Sequence, residues 1–216
     1  MDTRILVTYA SWAGSTAEVA EAIGHGLRNR NTAVDVLPAK DVLDINPYCT
    51  VVVGSAVRAG QVHPEALAFL ETHQEALVGI PVAYFVVCLT IKDDTEENRS
   101  TVRAFLDKLR ETVPQVQPVD VGLFAGVLSY SKLSLLRQLT MKRMKVPEGD
   151  FRDWEAIRDW AASLRLHYSR RLVAALTRSS TSPELEGRSW SGILYLHEIG
   201  EPAAPPLRAF GQYRLN

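Results

Sequence analysis

Short, continuously apolar runs alternate with stretches of helical periodicity through about the first 165 residues of this chain. Five of these runs have the length and the β-branched composition of strands: Arg4–Ala10, Ala33–Leu37, Thr50–Gly54, Val82–Leu89 and Val119–Leu128. A strand that is apolar throughout is covered on both faces, and in an alternating β/α pattern its neighbours run parallel to it. The pattern therefore predicts an α/β fold, a parallel sheet with helices on both faces.

The predicted helices begin near Ser15, Pro64, Thr95 and Trp154. Ser15 and Glu18 have the spacing of a capping box, in which the two side chains close the first turn of a helix. Thr95 is the predicted N-cap of the third helix. Each predicted helix carries apolar residues on one face, as packing against a sheet requires.

The overall composition excludes several classes of protein. Hydrophobic residues make up 46% of the chain and charged residues 23%, which is typical of a folded globular protein. The formal net charge is -1, with 24 basic and 25 acidic residues, so a dedicated nucleic-acid binder is not expected. Two cysteines, Cys49 and Cys88, form no disulfide framework, and no ligand spacing for a metal is present. We expect a reduced, cytoplasmic protein.

Composition also suggests two parts. We predict one domain over residues 1–167 and a proline-containing C-terminal extension over residues 168–216, partly disordered or packed on the domain. The basic segment, Ser129–Val146, lies between the fifth predicted strand and the last predicted helix and holds five basic residues and no acidic one. Three interpretations stay open for it: peripheral contact with the inner face of the cell membrane, a lid over a ligand, or an ordinary solvated helix.

The loop SWAGST, Ser11–Thr16, joins the first predicted strand to the first predicted helix. The N-terminus of a helix offers unpaired N–H groups and a partial positive charge, so it favours an anion. Ser11, Ser15 and Thr16 add hydroxyl groups, and Gly14 allows close approach of the backbone. The lysine of a GK[ST] loop and the GxGxxG pattern are both missing, so a single phosphate monoester such as that of FMN fits best. A simple capping turn is the alternative.

Two further loops belong to the same edge of the predicted sheet. The sequence SAVRAGQVHP follows the third strand, and the fourth ends at Cys88–Thr90. Ligands of open α/β sheets lie beyond the carboxyl ends of the strands, where the strand order reverses. Small residues in these loops leave room for a flat ring.

These motifs resemble the flavodoxin family, whose phosphate loop T/S-x-T-G-x-T is written here as SWAGST. The resemblance is strongest to the menaquinone-dependent protoporphyrinogen oxidase type. The strings that carry it are VVVGSAVRAGQVHPE, VCLT, and FAGVLSYSKLSLLRQLTMKRMK followed by DFRDWE. It covers residues 4 to 165 and implies a flavodoxin-like, doubly wound, five-stranded sheet of order 2-1-3-4-5.

The resemblance also implies non-covalently bound FMN. The residues implied at its phosphate are Ser11, Trp12, Ala13, Gly14, Ser15 and Thr16, and those implied beside its ring are Ala56, Val57, Arg58, Ala59, Gly60, Cys88, Leu89 and Thr90. The implied activity is dehydrogenation of protoporphyrinogen IX with a quinone as acceptor. The alternative is a flavodoxin-like carrier of electrons between redox partners. Such carriers are strongly acidic, and a net charge of -1 disfavours that role. The oligomeric state stays open.

Four single residues have competing interpretations. Arg58 could stabilise reduced FMN or be a solvated loop residue. Trp12 could pack beside the cofactor or across the first helix. Cys88 ends a buried strand and is predicted to be structural rather than a redox thiol. His63 precedes Pro64, so we expect it to start a helix rather than to act in catalysis. No catalytic side-chain set is predicted, because a flavin carries the electrons itself.

Overall fold

The computed structural model describes residues 3–132, 138–139, 143 and 147–179. Eight strands are present in these ranges: β1 (Thr3–Ala10), β2 (Thr32–Pro38), β3 (Thr50–Arg58), β4 (Gln61–Val62), β5 (Val82–Val87), β6 (Val121–Phe124), β7 (Val127–Leu128) and β8 (Gly149–Asp150). The longer helices are α1 (Ser15–Leu27), α2 (Pro64–Val78), α3 (Glu96–Thr112) and α4 (Trp154–Ser179). Short 3-10 turns cover Ala39–Asp41, Leu89–Lys92 and Tyr130–Lys132.

The main sheet has the strand order β2-β1-β3-β5-β6, with all four pairings parallel. This is the predicted order, since β5 and β6 are the fourth and fifth predicted strands. Strand β4 adds a short antiparallel pairing to the end of β3. The order reverses between β1 and β3, so the ligand crevice of the fold lies at the carboxyl ends of these two strands.

Helices cover both faces of the sheet because successive strand residues point to opposite sides. Leu6 packs with α2 and α3 on one face, whereas Val7 packs with α1 and α4 on the other. Both side chains are fully buried. The continuously apolar strands of the sequence therefore form the middle layer of a three-layer domain.

Gly54 in β3 is a point of very close packing between neighbouring strands. A Cβ atom at this position would lie 2.0 Å from Cζ of Phe85, whose ring is fully buried in β5. The ring of Phe85 occupies the space above the Gly54 backbone, so the two residues fix how β3 and β5 pack.

Two local predictions are wrong. The capping box of Ser15 and Glu18 is absent: Gly14 is the N-cap of α1 with φ 94° and no side-chain cap, and the Glu18 carboxylate binds Arg152 instead. The fifth predicted strand is divided, because β6 ends at Phe124 and the next residues turn away to form β7. The predicted cap at Thr95 is confirmed, since its Oγ1 accepts a hydrogen bond from the Asn98 N–H at 3.2 Å.

Contacts divide the chain into two units, Met1–Ala175 and Leu176–Asn216. The first unit contains the sheet and the helices packed on it. In the second, only residues 176–179 are described, so the C-terminal extension and its boundary at residue 167 stay predictions. Most of the basic segment also lies outside the described residues. Among the described helices, none combines the length and apolar character needed to cross a bilayer.

Candidate cofactor site

A cavity of about 510 Å³ lies at the carboxyl ends of β1, β3 and β5. Its walls come from the loop after β1, the end of β3, the residues after β5 and the start of β7. All of the predicted site residues except Gly14 and Thr16 are among the lining residues. The structure thus brings together three loops that are separated by up to 80 residues of chain, at the switch point of the sheet.

The loop between β1 and α1 is closed by a hydrogen bond within itself. The Gly14 N–H donates to Oγ of Ser11 at 3.0 Å, and Gly14 turns the chain into α1 through a left-handed conformation. Any residue with a Cβ atom is strained in that conformation, so a glycine belongs there. The loop delivers the N-terminus of α1 to the cavity, with the donors and partial positive charge that favour an anion.

Thr16 supplies a direct test of whether this terminus fits a phosphate. Its hydroxyl is fully buried and has no hydrogen-bond partner within the described part of the chain. A buried polar group without a partner costs about 1–3 kcal/mol. Thr16 itself does not line the cavity, but it directly follows Ser15, which does, so an acceptor oxygen placed at this terminus would be the partner that the Thr16 hydroxyl lacks. The residues present therefore fit the phosphate of FMN.

The residues at the end of β3, which the sequence analysis treated as a loop with small residues, form a tight hairpin with β4. Ala59 and Gly60 have φ values of 52° and 72°, and Arg58 pairs with Gln61 across the turn. Positive φ at both central residues is the arrangement of a type I′ turn. Gly60 also lies against Phe105, since a Cβ atom there would be 3.3 Å from the Phe105 ring. This hairpin is a rigid wall of the cavity.

Trp12 packs against Arg58 at the end of β3 and against His63, the residue that precedes α2. The guanidinium carbon of Arg58 lies 4.6 Å from the centre of the Trp12 ring. The centres of the Trp12 and His63 rings are 4.3 Å apart. Trp12 also lines the cavity and is 38% exposed. Trp12 therefore lies in the cavity wall, in contact with Arg58 and His63.

His63 starts α2, as predicted. Its Nδ1 accepts a hydrogen bond from the Glu65 N–H at 3.2 Å, and its own N–H donates to Oγ of Ser55 at 2.8 Å. Burial lowers the pKa of His63, Glu65 opposes this shift, and Arg58 lowers the pKa further. A neutral imidazole with its proton on Nε2 follows, because Nδ1 is used as an acceptor.

Cys88 is buried where β5 ends. Its N–H donates to the carbonyl oxygen of Phe124 at 3.0 Å. Burial raises the pKa of the Cys88 thiol, and hydrogen bonds with Ile91 and Thr90 only partly offset this. Because a thiol must be deprotonated to react, Cys88 is a structural part of the cavity wall, in agreement with the prediction.

The sequence did not identify eight of the lining residues: Glu18, Val87, Phe105, Gly126, Val127, Leu128, Ser129 and Arg152. Arg152 matters most chemically, because no basic residue lies in the loop after β1. Its side chain is only 7% exposed. The string DFRDWE contained this residue, but nothing in the string indicated that it reaches α1.

Arg152 is held by two carboxylates. Its Nε and Nη2 donate to the two oxygens of Asp150 at 2.8 and 2.6 Å, and its Nη1 donates to Oε2 of Glu18 at 2.7 Å. The guanidinium carbon also lies 4.4 Å from the centre of the Trp154 ring. The hydrogen bond from Arg152 is the main reason that the pKa of Asp150 lies below its ordinary value. The cavity thus carries two arginines, Arg58 and Arg152.

A family profile described as a flavodoxin domain matches residues 6–154. The chain belongs to the flavodoxin domain family. The match spans the sheet from β1 to the start of α4 and includes all three predicted loops. Family membership and the fit of the phosphate loop agree on FMN as the cofactor, as predicted.

Two relatives carry the same name, Protoporphyrinogen IX dehydrogenase [quinone]. The protein from Leishmania major is 26% identical over 171 residues, which cover 74% of this chain and 73% of the relative. The protein from Escherichia coli K12 is 23% identical over 175 residues, which cover 74% of this chain and 94% of the relative.

Similar solved structures include oxidised Flavodoxin 1 from Bacillus cereus. It shares 16% sequence identity with this flavodoxin-family chain at a TM-score of 0.44. The alignment covers 68% of this chain and 100% of the Bacillus cereus protein.

Proposed function

We propose that this flavodoxin-family protein is an FMN-dependent oxidoreductase that takes electrons from protoporphyrinogen IX, or a similar reduced tetrapyrrole, and passes them to a quinone. The observation that carries the proposal is the composition of the cavity. One wall of it is the phosphate loop, and another wall is mostly apolar. The names of the relatives from Leishmania major and Escherichia coli support this substrate and this acceptor.

In this proposal, the residues Ser11–Thr16 hold the phosphate through backbone N–H groups and hydroxyls, with Thr16 gaining the partner that its buried hydroxyl lacks. The residues Ala56–Gly60 and Cys88–Thr90 flank the ring system. When bound, FMN supplies the redox centre between the reduced substrate and the acceptor. Arg58 places a positive charge in the wall, which favours the more electron-rich form of the cofactor.

The apolar side of the cavity has the character needed for a large flat ring. Leu89, Phe105 and Leu128 line it, and Phe105 closes it against the β3–β4 hairpin. Apolar side chains exclude water from a bound ring and favour the binding of a tetrapyrrole or a quinone headgroup. No side chain is assigned as proton donor or acceptor.

The basic segment is proposed to give the protein access to its lipid-soluble acceptor. Its first residue, Ser129, lines the cavity, so the segment begins beside the proposed ring site. Basic residues favour the anionic inner face of the cell membrane, and the same residues would meet substrate carboxylates if the segment covers the cavity. Peripheral membrane contact and a cytoplasmic location belong to this proposal.

The test is an anaerobic absorbance experiment on the FMN-loaded protein. Addition of protoporphyrinogen IX is expected to bleach the visible flavin bands, and addition of menaquinone to restore them. A matched sample that receives menaquinone alone controls for direct effects of the acceptor. Bound FMN that is not bleached by the porphyrinogen would contradict this function and would favour the flavodoxin-like electron carrier.

A further inference from the structure

Arg152 connects two parts of the chain that are far apart in sequence. Its Nη1 binds Glu18 in the first turns of α1, 134 residues earlier, while its other donors bind Asp150 in β8. The side chain is almost completely buried, whereas Glu18 and Asp150 are 57% and 45% exposed. A planar guanidinium with its donors on two different elements fixes their relative position better than a flexible ammonium could.

Strands β7 and β8 form a small hairpin, with β7 directly before residues 129–148 in the chain and β8 directly after them. Val127 pairs with Asp150 and Leu128 with Gly149 in antiparallel register. The Phe151 N–H donates to the carbonyl oxygen of Gly126 at 3.2 Å, which extends the pairing by one step. The two ends of the residues 129–148 are therefore held side by side.

The same hairpin borders the phosphate loop. A Cβ atom on Gly126 would lie 3.8 Å from Oγ of Ser15, the first residue of α1. The candidate cofactor cavity is lined by residues from both sides of this contact: Ser15, Glu18, Gly126 and Arg152. A ligand at the start of α1 thus lies in the same cavity as Arg152, which binds both α1 and β8.

Arg152 carries the positive charge that balances two carboxylates close to the start of α1. Glu18 lines the cavity near the start of α1, where an anion is expected, and Arg152 is the cation bonded to both Glu18 and Asp150. Removing Arg152 leaves both carboxylates without their cation, although solvent screens part of their charge because both are about half exposed. Without Arg152 the carboxylates repel both each other and a bound phosphate.

We propose that Arg152 is a positioning residue that couples FMN binding at the N-terminus of α1 to the stability of the β7–β8 hairpin. Cofactor binding stabilises the paired hairpin, and the paired hairpin raises cofactor affinity by the same factor. The proposal rests on the FMN binding of the proposed function but is independent of the substrate and acceptor. The stability of the residues that flank the basic segment then depends on whether FMN is bound.

The experiment measures FMN affinity and amide hydrogen exchange on the full-length protein. In the wild type, saturating FMN is expected to slow exchange in peptides covering residues 126–131 and 147–152. Arg152→Gln is expected to weaken FMN binding by roughly 5- to 150-fold and to leave hairpin exchange the same with and without saturating FMN. Arg110→Gln, which removes one exposed contact to Asp107, is the matched control and is expected to behave as the wild type.

A second variant keeps the test decisive if Arg152→Gln does not fold. Glu18→Ala removes the link to α1 and leaves the Arg152–Asp150 pair, and we expect it to abolish the FMN-dependent protection of the hairpin. Glu21→Ala on the same helix is its control. Full protection of the hairpin by FMN in Glu18→Ala or in a folded Arg152→Gln protein would overturn the coupling alone. A wild-type protein that binds no FMN would overturn both the coupling and the proposed function.

Discussion

The guanidinium carbon of Arg58 lies 4.6 Å from the centre of the Trp12 ring. This contact holds a cation from the end of β3 against the loop that follows β1, and both residues line the cavity. A guanidinium over an aromatic face is stabilised by about 0.5–1 kcal/mol at an exposed site. The stacking keeps the Arg58 charge in the cavity wall rather than in solvent.

Replacing Arg58 is expected to change the redox potential of the bound cofactor. Arg58→Gln removes a positive charge that favours reduced FMN, so the two-electron potential should fall by roughly 20–60 mV. Arg58→Lys keeps the charge and should shift the potential by less than half as much. Spectroelectrochemical titration of the FMN-loaded proteins measures this. Equal potentials in the wild type and Arg58→Gln would contradict the assigned role.

Replacing Thr16 is expected to weaken FMN binding without lowering the folding stability of the apo protein. Thr16→Val removes a buried hydroxyl that has no partner within the described residues, so the apo protein should be as stable as the wild type or more stable. FMN binding should weaken by about tenfold, because the phosphate loses a donor. Thr101→Val on the exposed surface of α3 is the control. Unchanged FMN affinity in Thr16→Val would show that the hydroxyl does not serve the phosphate.

Adding one methyl group to Gly54 is expected to destabilise the fold strongly. The Cβ atom of Gly54→Ala would lie 2.0 Å from Cζ of the buried Phe85 ring, so the free energy of unfolding should fall by about 3 kcal/mol or more. Gly79→Ala is the matched control, since its nearest contact is 3.8 Å away and its φ is −81°. Urea denaturation compares the two, and a Gly54→Ala protein as stable as Gly79→Ala would contradict the packing described.

The buried His63 predicts a specific pH dependence of stability. Its pKa is lowered in the folded state, so below about pH 6.5 the unfolded chain binds a proton that the folded protein does not. The contribution of His63 to the free energy of unfolding is therefore complete above that pH. It is lost as the pH falls toward the folded-state pKa of His63. His63→Asn keeps an N-cap acceptor but does not titrate. Urea denaturation between about pH 5 and 7 should show a steeper pH dependence for the wild type than for His63→Asn, and equal slopes would refute the shift.

Local patterns were enough to predict the four longer helices and the strands β1, β2, β3 and β5. The apolar runs of β1, β3 and β5 are buried on both faces, and the caps at Thr95 and His63 depend on residues only two or three positions away. The order of the sheet followed from the family resemblance, because periodicity alone does not encode which strands are neighbours.

Long-range contacts explain what the sequence did not predict. Ser15 and Glu18 have capping-box spacing, yet Glu18 binds Arg152, which lies 134 residues away. A charged contact with a buried guanidinium is stronger than a local cap, and no helical or strand period reveals it. The break in the fifth predicted strand has a similar cause, since Val127 and Leu128 pair with β8 instead of continuing the sheet.

Comparison of FMN with riboflavin tests most directly whether this cavity is a flavin phosphate site. Each ligand would be titrated into the purified full-length protein, with quenching of flavin fluorescence as the signal. We expect one FMN to bind per chain, with an affinity at least about tenfold higher than that of riboflavin, because the N-terminus of α1 and Thr16 bind only the phosphate. Equal affinity for the two flavins, or no binding of FMN, would contradict the assignment.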